Sequence, residues 1–590
     1  MRKELRWLSV VSLGAPFIVV ALALPSEASA DLWRDVTETA LGTETGDWSN
    51  KVELADLDGD GDVDILFANG GAYNEPGTPE LNGAWLNTGV DASGAPIFED
   101  VSADVFGEPD LTRSMRARDF DGDGNIDILV GSNYQTRARL LMGTGGGQFE
   151  DRSDELPPID VSLGDVEAAD YDGDGDLDLI LADWGLDGGG GELLDPFMAP
   201  GAAPLVWRND LSTGGGFVDV TADVMDDVPV AWSWELDLWD IDGDFDLDLL
   251  VSCKVCEGSF VFHNEDGRFV HDPAAMPQFT NNYDFEAMWI TVPGESEERL
   301  AVVTINDGDQ VSSQFDKREH LFVADADGRF EDMTDKLWPD SENLGEDDNM
   351  VVMLDFDSDG DPDFLIGALG GGQDRLHVND LAGSGAFILD RNAGLTTGLA
   401  GTDGTLGIAL ADLNGDGKLD VVQSQGELAD PERVWIGDDI ATDTAPPKVA
   451  AVQSLAGETD SDFVVRARVH DNKSPSRPHD WRSVTVRVTV DGEVQNEVAM
   501  TQSGGFLWQA NVAAKPGSTF TVCAVDAAGN EACGEDAALG EDTDGKFDDV
   551  DAGAEDDAGG CGCTSGRSDT PVALFGLVAL LGLIRRRRAM

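Results

Sequence analysis

The chain has 590 residues, of which 116 are acidic and 37 basic, giving a formal net charge of −79 at pH 7. Such a polyanion repels phosphate backbones and anionic lipid surfaces, which excludes nucleic acid as a partner. Hydrophobic residues make up 41%, enough for folded cores, and the 70 glycines favour turn-rich β structure over helix. Residues 1–30 read as an export signal: Arg2, Lys3 and Arg6 precede an apolar run over 7–24, and Ala28-Ser29-Ala30 offers small residues for cleavage. The mature chain is expected to begin near Asp31, outside the cytoplasm.

A nine-residue pattern, Asp-x-Asp/Asn-x-Asp-x-x-x-Asp, then recurs six times between residues 31 and 440. The loops carry Asp56, Asp58, Asp60, Asp62, Asp64; Asp119, Asp121, Asp123, Asn125, Asp127; and Asp170, Asp172, Asp174, Asp176, Asp178. They continue with Asp240, Asp242, Asp244, Asp246, Asp248; Asp355, Asp357, Asp359, Asp361, Asp363; and Asp412, Asn414, Asp416, Lys418, Asp420. Their starts lie 63, 51, 70, 115 and 57 residues apart, so the 115 step spans two repeats, one without its loop. That repeat keeps strand-like flanks at 288–292 and 300–305 around Pro293-Gly294-Glu295-Ser296.

A second marker alternates with the first: Phe98-Glu99-Asp100-Val101-Ser102, Phe217-Val218-Asp219-Val220-Thr221 and Phe330-Glu331-Asp332-Met333-Thr334 are clear copies. A further copy, Trp33-Arg34-Asp35-Val36-Thr37, precedes the first loop, while no copy follows the last loop. Seven repeats of several short strands predict an all-β fold, a seven-bladed β-propeller over 31–440 whose N-terminal strand completes the last blade and leaves no exposed edge.

The loop chemistry points to calcium. Carboxylates at positions 1, 3 and 5, the backbone carbonyl of position 7 and the carboxylate of position 9 can build an oxygen cage for a hard cation. An EF-hand would place a bidentate Glu at position 12 and continue as a helix. Position 12 here is Phe67, Val130, Leu181, Val251, Ile366 or Gln423, each within a β-like run, so these are strand–loop–strand sites. Up to six Ca2+ ions are expected, in a structural role.

The paired motifs resemble the FG-GAP/VCBS repeats, which also build the integrin α-subunit propeller. The resemblance implies calcium on one face of the propeller, stiffening the blades, and partners on the opposite face. Departures are Phe245 in place of glycine, Lys418 at position 7 and the missing loop.

After a linker at 442–448, segments 463–470, 484–490, 506–512 and 519–525 alternate in polarity like half-buried strands. Residues 445–534 are expected to form an Ig-like β-sandwich serving as a spacer. Cys523 and Cys533 bracket a turn and are expected to bridge it; Cys253 and Cys256 are expected to form a structural disulfide, since export permits oxidation. The segments leading into each loop carry Trp48, Arg113, Arg116, Glu167, Trp232, Trp234, Tyr283 and Glu346, candidate ligand-binding residues for the mouth of the ring.

Residues 535–560 form an acidic stretch expected to be disordered. Residues 561–590 begin with Cys561 and Cys563 and continue through a 14-residue apolar run to Arg585-Arg586-Arg587-Arg588. This order resembles the C-terminal sorting tails of myxobacterial surface proteins and implies membrane anchoring or processing near the cysteines. The chain is thus expected at the cell surface or outer envelope, or released from it. Its expected function is adhesion or recognition of a protein or polysaccharide; the alternative is a polysaccharide lyase or hydrolase on the same scaffold. Nothing in the sequence carries a catalytic signature.

Overall fold

The computed structural model describes residues 32–540 except 43–46, 72–74, 188–192, 257, 278–281, 307–317, 346–347, 370–373, 391–403, 427–430, 458, 460, 472 and 516. The export signal and the sorting tail lie outside the described residues. Among the described residues no helix is long and apolar enough to cross a membrane.

The fold is all-β. Seven consecutive antiparallel sheets share one plan, in which four strands follow one another outward. Their first strands are Ser49–Ala55, Thr112–Arg118, Leu163–Ala169, Leu236–Trp239, Asn282–Thr291, Asp348–Leu354 and Thr405–Ala411. The seventh sheet draws its outer strand, Trp33–Asp35, from the other end of the chain, paired with Arg433–Gly437. The arrangement is consistent with propeller blades. Trp33 is 1% exposed, and its indole Nε1 donates to the Leu419 carbonyl at 2.9 Å. Trp33→Phe keeps the ring but orphans that carbonyl, so a loss of about 1–2 kcal/mol in denaturant melts is expected. An unchanged midpoint would show that this strand does not hold the last sheet.

The second marker has a local cause. In Pro96–Asp100 and its counterparts the aspartate accepts the N–H of the Ser or Thr two residues on: Asp100–Ser102 2.9 Å, Asp219–Thr221 3.0 Å, Asp332–Thr334 3.0 Å and Asp35–Thr37 2.9 Å. That Ser or Thr hydroxyl then accepts the N–H of the adjacent strand, from Ala84, Val206, Leu321 and Val434 respectively. Each outer strand is thereby locked to its sheet by side chains, where the backbone ladder runs out.

Two further sheets follow. One contains Lys448–Ala456, Asp462–His470, Leu507–Ala513 and Thr501–Gly504; the other contains Trp481–Val490, Glu493–Ala499, Thr519–Asp526 and Glu531–Cys533. Alternating residues from both, among them Val465, Val469, Val486, Trp508, Phe520 and Val522, bury one shared core. Cys523 is bonded to Cys533 and Cys253 to Cys256. The sequence suggested a spacer; the structure instead holds this sandwich against the aspartate loops. Its segment Lys473–Ser474 adds a fifth strand to the inner edge of Asp348–Leu354. Its hairpin tip wedges Gly505, at φ +47°, where a Cβ would lie 2.5 Å from the Leu238 carbonyl oxygen.

Candidate metal loops and the axial charge cluster

Each of the six aspartate loops joins the first strand of its sheet to the second, so all six lie at the same end of their sheets. One hydrogen-bond scheme recurs. The N–H of residue six donates to Oδ2 of the first aspartate: Gly61–Asp56 3.0 Å, Gly124–Asp119 2.9 Å, Gly175–Asp170 3.1 Å, Gly360–Asp355 2.8 Å and Gly417–Asp412 2.8 Å. Those glycines adopt positive φ, from +80° to +99°. The ninth aspartate is buried in every loop and the fifth residue is exposed in every loop. Lys418, at position 7, turns its amine to the Asp438 carbonyl, away from the loop centre.

In the first three loops one carboxylate oxygen from each of positions 1, 3 and 9 lies within 4.8 Å of the others; in the fourth the same holds for Asp240, Asp242 and Asp244. Burial pushes the ninth carboxyl up, to about 7 for Asp64 and Asp127 and about 9 for Asp178, and neighbouring loop carboxylates add to it. Asp170 Oδ1, Asp178 Oδ2, Asp240 Oδ2 and Asp242 Oδ1 are buried without a hydrogen-bond partner among the described residues. Buried oxygens that lack a donor call for a counter-charge, and an all-oxygen donor set is what a hard divalent ion takes. These aspartate clusters fit metal ions.

Sequence reasoning did not single out the asparagines that tie the loops to neighbouring sheets. Asn209 donates through Nδ2 to the Phe120 carbonyl in loop two and to the Leu177 carbonyl in loop three. Asn264 does the same for Tyr171 and Leu247, and Asn87 for Leu413 and Val63. Each amide thus joins position 8 of its own loop to position 2 of the preceding one, across a sheet boundary. The signal was present as Trp85-Leu86-Asn87, Trp207-Arg208-Asn209 and Phe262-His263-Asn264 in the third strands.

The candidate ligand residues separate into two groups. Arg113, Trp232, Trp234 and Tyr283 are all buried, with Arg113 stacked over Trp234 at 4.2 Å and Lys254 over Trp234 and Tyr283 at 4.1 and 4.2 Å. Trp48 is half-buried beside this cluster, and Glu346 lies outside the described residues. Arg116 and Glu167 instead sit on the ring axis, paired at 2.8 Å.

That axis carries a buried charge cluster. Alternate positions of the first strands place Lys51 and Glu53, Arg116 and Arg118, Asp165 and Glu167, Asp284 and Glu286 there, joined by Asp237 of the fourth sheet and by Glu235 just before its first strand. Lys51 reaches across the ring to Glu235 and lies 3.9 Å from Asp165. Arg118 donates to Glu53 at 2.9 Å. Arg477, from the sandwich, enters the same cluster with Nε 3.4 Å from Glu53. Burial, then the neighbouring Asp165, pushes the Glu235 carboxyl well up, while Lys51 and Arg116 outweigh burial to hold Asp165 at about 2.

The FG-GAP-like repeat family matches residues 119–181 and 355–422, which contain loops two, three, five and six. Those two stretches are thus similar to FG-GAP-like repeats, and they lie within a β-sheet-rich structure whose four-stranded sheets are consistent with propeller blades. Part of the chain is similar to cartilage acidic protein 1: the Xenopus tropicalis protein is 34% identical over 140 residues, covering 22% of this chain and 20% of that one. The chain spans about a fifth of the length of the curated relatives it matches. Among solved structures, an Agrocybe aegerita lectin described with non-reducing terminal N-acetylglucosamine aligns with a TM-score of 0.36 and 16% identity, over 60% of this chain and 82% of that one. BBS1N in complex with ARL6DN aligns with a TM-score of 0.40 and 10% identity, over 70% and 99%. The two disulfides are what an oxidising, extracellular compartment permits.

Proposed function

We propose that residues 31–440 form a calcium-stabilised seven-bladed β-propeller bearing an Ig-like sandwich over 445–534, and that this exported, surface-held protein acts in adhesion or recognition of a protein or polysaccharide. Calcium is structural: six loops present closely similar oxygen donors, and three asparagine ties make loop geometry a condition for joining neighbouring sheets. Because the sandwich covers part of the loop side, the recognition surface lies on the opposite rim. The observation that carries this is the segment between the second and third strands of the third sheet. Phe197 is 43% and Met198 80% exposed there, and Phe197 packs 4.1 Å from Trp232, over the buried aromatic and cation cluster. Exposed apolar side chains on a rigid polar-rimmed base are what a partner-binding patch requires.

Glycan and protein arrays probed with the wild type and a Phe197→Ser/Met198→Ser variant test this. Binding by the wild type that falls at least tenfold in the variant, with an unchanged melting temperature, is expected. Equal binding by the two would remove this surface from consideration.

A second reading, an extracellular enzyme acting on polysaccharide, is favoured by one feature. Asp165 and Glu235 adjoin on the axis with their proton affinities driven apart, as an acid and base pair requires. Polysaccharide cleavage abolished by Glu235→Gln would establish it.

A further inference from the structure

We propose that the fourth aspartate loop is the weakest cation site in the chain, because the sandwich delivers its own positive charge to that loop, so that cation binding there and docking of the sandwich oppose each other. The proposal rests on the calcium reading above. Among the described residues, Asp240 and Asp246 are the loop carboxylates that a sandwich arginine pairs with. Arg466 donates to Asp246 Oδ1 at 2.8 Å and to the Phe245 carbonyl at 3.2 Å. Arg468 Nη1 lies 4.0 Å from Asp240 Oδ2, and its guanidinium is fixed over the Trp289 ring at 4.3 Å.

Asp240 is 4% exposed, and its Oδ2 has no hydrogen-bond donor among the described residues; nor has Asp242 Oδ1, across the same loop. A cation in this loop and Arg468 therefore seek the same oxygen. The third loop also touches the sandwich, but its hydrogen bonds run through neutral groups. Gln509 donates to Asp170, and the Asp170 N–H donates to the Ser503 carbonyl at 2.7 Å. Arg466 passes Gly173 of that loop, yet its ion pair is with Asp246. In the fourth loop Phe245 also replaces the glycine of position 6, held at φ +69° and buried. Two guanidiniums repel a divalent ion wherever its site shares their carboxylates. By linkage, an ion that weakens these pairs must itself be bound more weakly while the sandwich is docked.

Calorimetric titration of calcium chloride into the chelated full chain tests this, with wild type, Arg468→Met and Asp240→Asn compared. Methionine keeps the apolar stem against Trp289. In the wild type one site is expected to be at least tenfold weaker than the others. Arg468→Met is expected to tighten that site at least tenfold and leave the others unchanged, and Asp240→Asn is expected to remove that site alone. Hydrogen exchange of residues 503–509 supplies a second readout: it is expected to speed up in the wild type when calcium rises from sub-saturating to saturating. Calcium sites that are equal in the wild type and unmoved by Arg468→Met, or exchange that slows with calcium, would overturn the antagonism and leave structural calcium standing. Uptake of no calcium at all would overturn both.

Discussion

Stripping the protein with EGTA is expected to lower its melting temperature by roughly 2–10 °C. Extracellular calcium modules bind at about 10⁻⁴–10⁻³ M, so at millimolar calcium each site contributes roughly 0.4–1.4 kcal/mol. Six sites then supply about 2–8 kcal/mol, on the scale of a domain's whole stability. An unfolding entropy of about 2.1 cal/mol/K per residue, over roughly 400 residues, converts each kcal/mol into about 1.2 °C. The effect should be cooperative among sheets, because Asn87, Asn209 and Asn264 each tie one loop to a neighbouring one. Calorimetry with and without chelator, restored by added calcium and not by magnesium, checks this. An unchanged melting temperature would end the calcium reading.

The second large effect is expected at Glu53, which is 5% exposed and faces three guanidiniums. Arg118 donates to it at 2.9 Å, Arg477 lies at 3.4 Å and Arg116 at 3.9 Å. Burial alone would raise the Glu53 carboxyl, but Arg477, Arg118 and Arg116 outweigh it and hold it at about 2, against an ordinary 4.5. Glu53→Gln leaves buried cations without their anion, and a loss of about 3–5 kcal/mol at pH 7 is expected. The pH dependence has a definite sign. A carboxyl with a depressed folded pKa contributes fully above its unfolded value, and that contribution drains away as pH falls through the folded value. Here the window runs from about 4.5 down to about 2, and about 3 kcal/mol is at stake within it. Denaturant melts of wild type and variant should therefore converge toward pH 2. A gap that persists there would show that Glu53 acts by packing instead of charge. Because Arg477 belongs to the sandwich, the variant should also loosen the strap at Lys473–Ser474, which exchange or limited proteolysis would report.

Much of this protein was legible before any coordinates. The six aspartate loops, the turn glycines and the Phe-x-Asp-x-Thr marker are local: the residues that define each lie within nine consecutive positions or fewer, so spacing alone exposes them. The repeat without a loop is legible for the same reason, since Asn282–Thr291 and Glu298–Asn306 remain paired across Pro293-Gly294. The pairing of Trp33–Asp35 with Arg433–Gly437 could be anticipated from counting, because one marker led the series and none closed it.

The candidate binding residues were less legible. Trp232, Trp234 and Tyr283 read as candidate binding aromatics for a mouth; they are buried in a stack with cations and other aromatic rings, which uses the same residue types as a binding platform. Arg116 and Glu167 were picked out without Lys51, Glu53, Asp165, Glu235 and Asp237, their partners on the axis. Those five lie in or just before the first strands of three different sheets, and a charge beside apolar neighbours reads as a solvated position.

What the chain determines by itself is the chemistry of the aspartate loops and the number of times it recurs, because those donors are neighbours along the backbone. The axial charge cluster and the seat of the sandwich are decided only by tertiary structure. Lys51, Arg116, Asp165, Glu235 and Arg477 come from five distant segments, and Arg468 meets Asp240 across 228 residues. Packing of the sheets against one another turns one face of the first strands toward a shared interior, and only that packing brings charges with no sequence relationship into low dielectric, where each must find a partner.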